Sequence, residues 1–404
     1  MSNRRTFLHQ LARGAACLAA SGIVAPRSVL GANDRIRFGL IGAGGRGKDI
    51  FRVALKCPNA EAVAVADIYP RRLDEARAMA PAVKTCNDYR RLLDDKSIDA
   101  VLIATPQHQH ALNFVAAIAA GKDVYQEKTM AFNPGHAKRM RKAFTGSKRV
   151  VQVGMQMNSA ASIGKIQELV AAGRLGTITA IQAFHYRNAP YGGWLRQIPA
   201  DCDAAHVNWP AFEGEARHYD FDPQRYVNWR FYWDYSGGNC FENMVHQVAF
   251  WYRVLGLNVP QSATMAGGNY RSPRMEVPDT MSVSLNQSEK LLFTWNSMFG
   301  DDYFGETWDY LLGSKGTLLH DAADRVAYLP KGKKKNEAEL AESADDVDRT
   351  EQHMRNFFEC VRSRKEPNCP FEMGYRTAIA CQMAVASYRA QRTVRWDPQA
   401  EDIV

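Results

Sequence analysis

Residues 35–47 read RIRFGLIGAGGRG. The run 35–41 is short and largely apolar, as a buried strand is, and it ends in glycines. A helical pattern follows over 46–55. Gly42, Gly44 and Gly47 therefore fall at the three glycine positions of G-x-G-x-x-G, between a strand and a helix. The first glycine permits the tight turn, the second lets a pyrophosphate approach the backbone, and the third allows close helix–strand packing. The helix N-terminus then presents unpaired N–H groups to phosphate. Gly45 and Arg46, inside the motif, are expected to line the same cradle. Asp67 closes the next strand about 20 residues further on, where a carboxylate meets a ribose 2′-hydroxyl. A carboxylate there repels a 2′-phosphate, so NAD is the expected cofactor. Arg71 and Arg72 close by leave NADP as the lesser choice.

Outward from this stretch the chain alternates. Residues 61–66 read as a second strand, 71–79 as a helix, 99–104 as a strand and 108–120 as a helix. Residues 123–126 and 150–153 are further strands, with a helix at 134–144 between them. This spacing builds βαβ units on a parallel sheet. Residues 34–154 are expected to form a doubly wound Rossmann domain of the α/β class.

The rhythm then changes. A helix at 163–172 leads into a long strand at 177–186 and an irregular aromatic segment, 187–235, which holds four of the eight tryptophans. Strand-like runs recur at 261–266, 280–285, 290–295, 308–312 and 317–320. Strands in succession imply an α+β domain, residues 155–404, with a large, open, mostly antiparallel sheet. Residues 331–348 read as a charged loop. Helices at 351–362 and 374–389 close the chain and are free to pack back on the first domain.

The other end carries a different signal. Asn3-Arg4-Arg5-Thr6-Phe7-Leu8 resembles a twin-arginine motif, and an apolar segment and the small residues Gly31 and Ala32 follow. Residues 1–32 thus read as an export signal. The expected location is the periplasm, reached after folding with the cofactor in place. The apolar run is shorter than the about 20 residues of a membrane span. Half of the net charge of +8 comes from the four arginines of this leader. The dense basic cluster Lys331–Lys335 gives way at once to acidic residues, so no nucleic-acid footprint is expected. Beyond Cys17 in the leader seven cysteines remain, an odd number without a C-x-x-C pair. Neither a zinc site nor a dense disulfide framework is expected.

Ala104-Thr105-Pro106 followed by His110, then Glu127-Lys128, then an α+β second domain, resembles the Gfo/Idh/MocA oxidoreductase family over nearly the whole chain beyond the leader. The resemblance implies that Thr105, Pro106 and His110 lie beside the nicotinamide ribose. It implies that Glu127 belongs to the cofactor site and that Lys128 bridges cofactor and substrate hydroxyl. The family's proline after this lysine is Thr129 here. The family's Asp and His, four residues apart in the second domain, correspond to Glu242 and His246. Met244 stands in place of a glycine between them, and Ala249 in place of an aspartate after them. Members often pair as dimers through the second-domain sheet, so a homo-oligomer is expected.

The residues support the same chemistry. Glu242 and His246 at i, i+4 share one face of a helix. A histidine can hold or release a proton near neutral pH, and a carboxylate can orient it. Lys128 can stabilise a developing alkoxide, or act as a base if burial lowers its pKa. Aromatic faces stack on pyranose rings while polar groups bond the hydroxyls. Tyr191, Trp194, Asn228, Trp229, Arg230, Trp233 and Asp234 offer that mix. Tyr186 and Arg187 close the long strand near the expected nicotinamide position.

The expected substrate is a sugar or glycoside. Free NAD is not replenished outside the cytoplasm, so an exported enzyme of this kind must recycle a tightly held cofactor. Three readings follow: a sugar oxidoreductase, an NAD-dependent glycosidase acting by transient oxidation and elimination, and a non-catalytic sugar-binding relic. The presence of Lys128, Glu242 and His246 together counts against the relic.

Overall fold

The structure is a computed structural model, and it describes residues 35–188, 194–301, 308–321, 323–342 and 348–404. The expected export leader, residues 1–32, and Tyr191 lie outside the described residues.

In the first sheet β1 (Ile36–Ile41) lies between β2 (Ala60–Ala66) and β4 (Ala100–Ile103). β3 (Lys84–Cys86) forms one edge, and β5 (Asp123–Gln126) and β6 (Val151–Val153) complete the other side. The six strands are parallel, in the order β3-β2-β1-β4-β5-β6. This is the doubly wound order, with its switch point between β1 and β4. β4 shows why it sits inside: Ala-Val-Leu-Ile is apolar on both faces, and all four residues are buried, as a strand covered by helices on both sides must be. The connecting helices are α1 (Gly45–Ala54), α2 (Pro70–Met79), α3 (Tyr89–Asp94), α4 (His110–Ala119) and α5 (Pro134–Phe144). Pro70 and Pro134 occupy the first turn, where no N–H is needed. The Asn133 side-chain Oδ1 accepts the His136 N–H and caps α5.

The second domain begins with α6 (Ser162–Ala171) and β7 (Ile178–Asn188). Short helices α7 (Trp209–Glu213) and α8 (Pro223–Val227) follow, then α9 (Val245–Leu255). Next come β8 (Ser262–Gly268), β9 (Thr280–Asn286), β10 (Leu292–Met298), β11 (Gly300–Asp301), β12 (Trp308–Gly313), β13 (Gly316–Asp321), β14 (Val326–Pro330) and β15 (Glu339–Glu342). Helices α10 (Arg349–Ser363) and α11 (Phe371–Ala390) and strands β16 (Val394–Asp397) and β17 (Asp402–Ile403) end the chain. The strands form one open sheet, β15-β14-β13-β12-β7-β10-β9-β8-β16-β17, with β11 paired to β7. Among the described strands the pairing is antiparallel except between β7 and β10. The expected charged loop at 331–348 is corrected in part. Glu339–Glu342 pair with β14 as an edge strand, which needs backbone groups and no apolar side chains.

One face of this sheet is buried, so β9 alternates, with Met281, Val283 and Leu285 inward. These residues join Trp251 of α9, Tyr375 and Ile379 of α11, and Val101, Ile103 and Phe114 of the first domain in one continuous core. α10 returns to the first sheet, where Phe358 packs on Phe38 at 5.4 Å between ring centroids. Phe38 is fully buried, and truncating such a residue to alanine costs about 3–5 kcal/mol. Both domains therefore depend on the closing helices.

Candidate active site

The glycine turn is built as its sequence requires. Gly42 has φ +90°, and a Cβ there would press on the Ala104 carbonyl group at 2.9 Å. A Cβ on Gly47 would collide with the Gly42 carbonyl oxygen, whereas Gly45 has open space around it. Gly44 caps α1 without any side-chain acceptor, so the first N–H groups of the helix are available to an anion. This is the geometric fit for a dinucleotide: two glycines close the turn, and two leave its surface free.

Asp67 ends β2 beside the turn, 6% exposed. Its carboxylate accepts the Ala43 N–H at 2.7 Å and the Tyr69 N–H at 3.0 Å. Burial raises its pKa, while Arg72 and the backbone N–H groups oppose that shift. Neither nearby arginine is free. Arg71 pairs with Asp201 at 2.8 Å and with Glu75. Arg72 lies 3.8 Å from Asp67 and 4.7 Å from the centre of the Tyr226 ring. That arrangement favours a ribose hydroxyl over a 2′-phosphate.

On the other side of the switch point, Thr105 and Pro106 follow β4. The Thr105 hydroxyl donates to Asn113 at 2.7 Å, and Pro106 precedes the single turn Gln107–Gln109. His110 is buried, with its ring nitrogens 2.7 Å from the Thr129 carbonyl oxygen and 2.9 Å from that of Thr105. It ties the two loops together. Burial holds its pKa below the usual histidine value. Glu127, 3% exposed, accepts from Arg46 Nε at 2.8 Å, so these two expected cofactor residues are each other's partner.

Lys128 and Glu242 meet as expected. Lys128 Nζ is 2.6 Å from Glu242 Oε2 and 3.1 Å from the Glu242 carbonyl oxygen. The Lys128–Thr129 peptide is cis, and the Thr129 hydroxyl donates to the Phe241 carbonyl oxygen at 2.7 Å. Arg230, stacked on Trp229 at 4.2 Å, brings Nε to 3.1 Å from the same Glu242 oxygen. Gln107 donates to the other oxygen at 2.6 Å. Burial alone would raise the Glu242 pKa, but Arg230 and Lys128 outweigh it and hold it at about 2. Burial and the Arg230 charge pull the Lys128 ammonium below the ordinary lysine value, while Glu242 opposes them. Glu242 is therefore ionised at neutral pH.

Two expectations are corrected here. The turn carrying Glu242, Cys240–Met244, is a π-helix that runs into α9. Its i→i+5 pattern replaces the single α-helical face expected for Glu242 and His246. Nor does Glu242 orient His246. Two cations and an amide occupy the carboxylate, and the half-buried His246 keeps a buried Nδ1 with no partner among the described residues. Burial first, and then the charges of Lys128 and Arg46, hold the His246 pKa well below the usual value. The ring is neutral.

Arg187 leaves β7 towards this cluster. It donates to His185 Nε2 at 2.7 Å and to Asn243 Oδ1 at 3.1 Å. Its guanidinium lies 5.4 Å from the Trp194 ring centre and 5.3 Å from that of Phe299. Tyr186 is placed elsewhere. Alternate side chains of a strand face opposite ways, and Tyr186 packs with Phe184 at 5.9 Å on the other face of β7. Its side chain thus lies on the opposite face of β7 from that of Arg187. Gln107 and Asn243 are the site's unforeseen members. Gln107 follows the Thr-Pro turn directly, but no periodicity or spacing marks it out. Among the described residues no group of His, Cys, Asp or Glu side chains could hold a metal ion.

With this geometry in place, known proteins give a consistent picture. Residues 36–155 match the family described as oxidoreductases with an NAD-binding Rossmann fold, Gfo/Idh/MocA. The inositol 2-dehydrogenase of Salmonella typhimurium is 30% identical over 154 residues, which cover 37% of this chain and 46% of that enzyme. An oxidoreductase of Streptococcus pneumoniae is 24% identical over 291 residues, 71% of this chain and 68% of that one. Among solved structures, levoglucosan dehydrogenase in complex with NADH and levoglucosan superimposes with a TM-score of 0.70 at 17% identity. That match covers 89% of this chain and 99% of the other. The WlbA dehydrogenase of Bordetella pertussis, in complex with NADH and UDP-GlcNAcA, gives 0.68 at 22% identity, covering 90% and 99%. No described helix is long and apolar enough to cross a membrane. Residues 36–155 thus match the NAD-binding Rossmann domain of the Gfo/Idh/MocA oxidoreductases, and the described residues have the two-sheet fold of the dehydrogenases they superimpose on.

Proposed function

We propose that this protein oxidises a secondary hydroxyl of a sugar or sugar-like polyol. The observation that carries the reading is the Lys128–Glu242–Arg230 ion cluster beside a neutral His246, adjoining the Arg46–Glu127 pair of the glycine turn. When bound, NAD accepts the hydride that leaves the carbinol carbon. The chain's residues manage the proton and the charge. His246, neutral and with an unpartnered nitrogen, takes the hydroxyl proton. The Lys128 ammonium donates to the alkoxide oxygen as charge builds there. Glu242 keeps Lys128 charged and aimed, and Gln107 fixes the rotation of that carboxylate. Trp229, Arg230 and Arg187 supply an aromatic face and donors for the remaining hydroxyls. The sugar dehydrogenases among the structural neighbours support this substrate class.

The arginine-pair leader supports export, and export requires a cofactor that stays bound and is recycled. The periplasm is our proposed location, and the outer face of the second sheet, with Phe184, Tyr310 and the exposed Leu292, our proposed surface for self-association. A redox glycosidase remains the second reading, favoured by the presence of two proton-carrying groups, Lys128 and His246, where elimination needs a second base.

The test is to incubate purified protein with sugars, polyols and aryl glycosides without added nucleotide, following NADH fluorescence. Stoichiometric reduction of bound NAD by one substrate class is expected. Absence of nucleotide on denaturation defeats the retained cofactor, and absence of reduction in protein reloaded with NAD defeats the oxidoreductase. Substrate deuterated next to the oxidised carbon separates the modes: label lost to water with release of aglycone selects the glycosidase, and full retention during turnover removes it.

A further inference from the structure

The irregular segment 199–235 is not a loose excursion of the second domain. It folds around its own aromatic core, in which Cys202, Val207, Trp209, Phe212, Tyr226 and Tyr235 are buried together with Tyr69 of the first domain. It docks on the loop that follows β2. Asp201 accepts from the Tyr69 hydroxyl at 2.7 Å and from Arg71 at 2.8 Å. The Asn208 N–H donates to the Ile68 carbonyl oxygen, and the Tyr226 ring receives Arg72.

The same segment also docks on the loop that follows β4. The Phe212 carbonyl oxygen lies 2.6 Å from His108 Nε2 and accepts from Gln109 Nε2 at 2.6 Å. Beyond it, Glu215 pairs with Arg139 of α5 at 2.7 Å. β2 and β4 are the two neighbours of β1. The segment therefore joins the loops on either side of the glycine turn, and a dinucleotide laid on that turn lies between two loops that the segment holds in place.

We propose that segment 199–235 is a clasp on the cofactor, and that Asp201 and Tyr226 are its positioning residues for NAD retention. The inference rests on the retained-cofactor reading and names the part of the chain responsible. Arg72 is the link. Its guanidinium lies 3.8 Å from where a Cβ on Gly44 would sit and 3.8 Å from Asp67, so it stands over the turn, and Tyr226 fixes it there from the second domain. Asp201 does the same for Tyr69, two residues after Asp67. Release of NAD then requires the segment to undock, or the loop 67–69 and the first turn of α2 to move against both contacts. Asp201 also occupies Arg71, the cation nearest to being available for a 2′-phosphate.

The experiment uses full-length holoprotein and follows exchange of bound NAD against excess 3-acetylpyridine-NAD by its distinct absorbance. Each lost charge-assisted hydrogen bond or stacked cation is expected to speed release by about tenfold. Tyr226→Leu and Asp201→Ala should each show that acceleration, and Asp201→Ala should also bind NADP better relative to NAD. Tyr226→Phe should exchange like the wild type, because the Tyr226 hydroxyl has no hydrogen-bond partner among the described residues and the ring is what holds Arg72. Unchanged exchange in both Tyr226→Leu and Asp201→Ala overturns the clasp, as does a Tyr226→Phe rate equal to that of Tyr226→Leu. Wild-type protein purified without nucleotide counts against the retained cofactor instead. The clasp is then decided by the same ratios of release rates after loading with NAD.

Discussion

Glu242→Gln tests the ionic cluster directly. The substitution keeps the shape and removes one negative charge that lies 2.6 Å from Lys128 and 3.1 Å from Arg230. At an effective dielectric constant of about 20, a unit charge at 2.6 Å is worth about 6 kcal/mol. Expressed as a pKa, the upper bound is about 5 units. The sign follows from the charge: Glu242 favours protonated Lys128, so its loss lowers a pKa that burial already holds below 10.5. Lys128 should then lose its proton at a lower pH than in the wild type. Catalysis that needs the ammonium should lose its basic limb at a pH lower by one unit or more. The assay is single-turnover reduction of bound NAD against pH, with the pH dependence of Lys128 acetylation as a substrate-free readout. Stability should fall by about 3–5 kcal/mol at acidic pH, where both cations stay charged and uncompensated. The loss should shrink above the new Lys128 pKa. A basic limb and an acetylation profile that both stay in place refute the assignment of Glu242 as the group that keeps Lys128 charged.

Lys128→Met should lower turnover by about 10²–10³ while bound NAD persists; a loss below about threefold, measured with retained nucleotide quantified, rejects its role at the alkoxide. Asp67→Ala should speed NAD release and leave the Ala43 N–H unpaired, and release at the wild-type rate in a stopped-flow chase removes its ribose role. His353 lies fully buried between the Val153 carbonyl oxygen at 2.9 Å and the Ser159 hydroxyl at 2.7 Å, and burial pushes its pKa to about 4. The unfolded chain then binds the extra proton below about pH 6.5, so stability falls as pH drops towards 4, by about 3 kcal/mol in all for this group. Urea unfolding of His353→Gln at pH 7 and 5 should show a smaller loss between the two than the wild type, and equal losses contradict the buried neutral ring.

The first domain was largely legible because its signals are local. The strand–glycine–helix pattern at 36–54 and the acid at Asp67 need no partner from elsewhere in the chain. The expected strands at 123–126 and helix at 134–144 coincide with β5 and α5. What escaped was short. β3 has three residues and α3 six, too few for either period to register. β14 to β17 are also short, at two to five residues each, and the charged composition of 331–348 hid β15. The site was legible by residue and not by bond. Lys128, Glu242 and His246 could be named, but Arg230, Gln107 and Asn243 come from separate turns, and which of them meets the carboxylate depends on the docking of two domains. The π-turn has no signature in Cys-Phe-Glu-Asn-Met. Tyr186 was misplaced by ignoring the strand period next to Arg187.

The partners of Glu242 bear on why such a cluster exists. A buried carboxylate held by two cations adds little stability, since desolvation offsets the attraction, and apolar residues of the same volume commonly do as well or better. Its value lies in position. Lys128 reaches Glu242 through both the side chain and the backbone carbonyl, and Thr129 reaches the preceding carbonyl at Phe241. The loop after β5 is therefore joined to the π-turn by two adjacent residues. Gln107 joins the loop after β4 to the same carboxylate and receives the Gly237 N–H on its own oxygen. Two loops of the nucleotide domain thus converge on one turn of the second domain, and that turn leads into the helix that carries His246. In the proposed oxidation, the groups that would meet a hydride acceptor on one side and a hydroxyl on the other are thus joined by hydrogen bonds to one turn. For transfer of a hydride, where misplacement by a fraction of an ångström is costly, that rigidity is what an ion cluster of modest thermodynamic worth can supply.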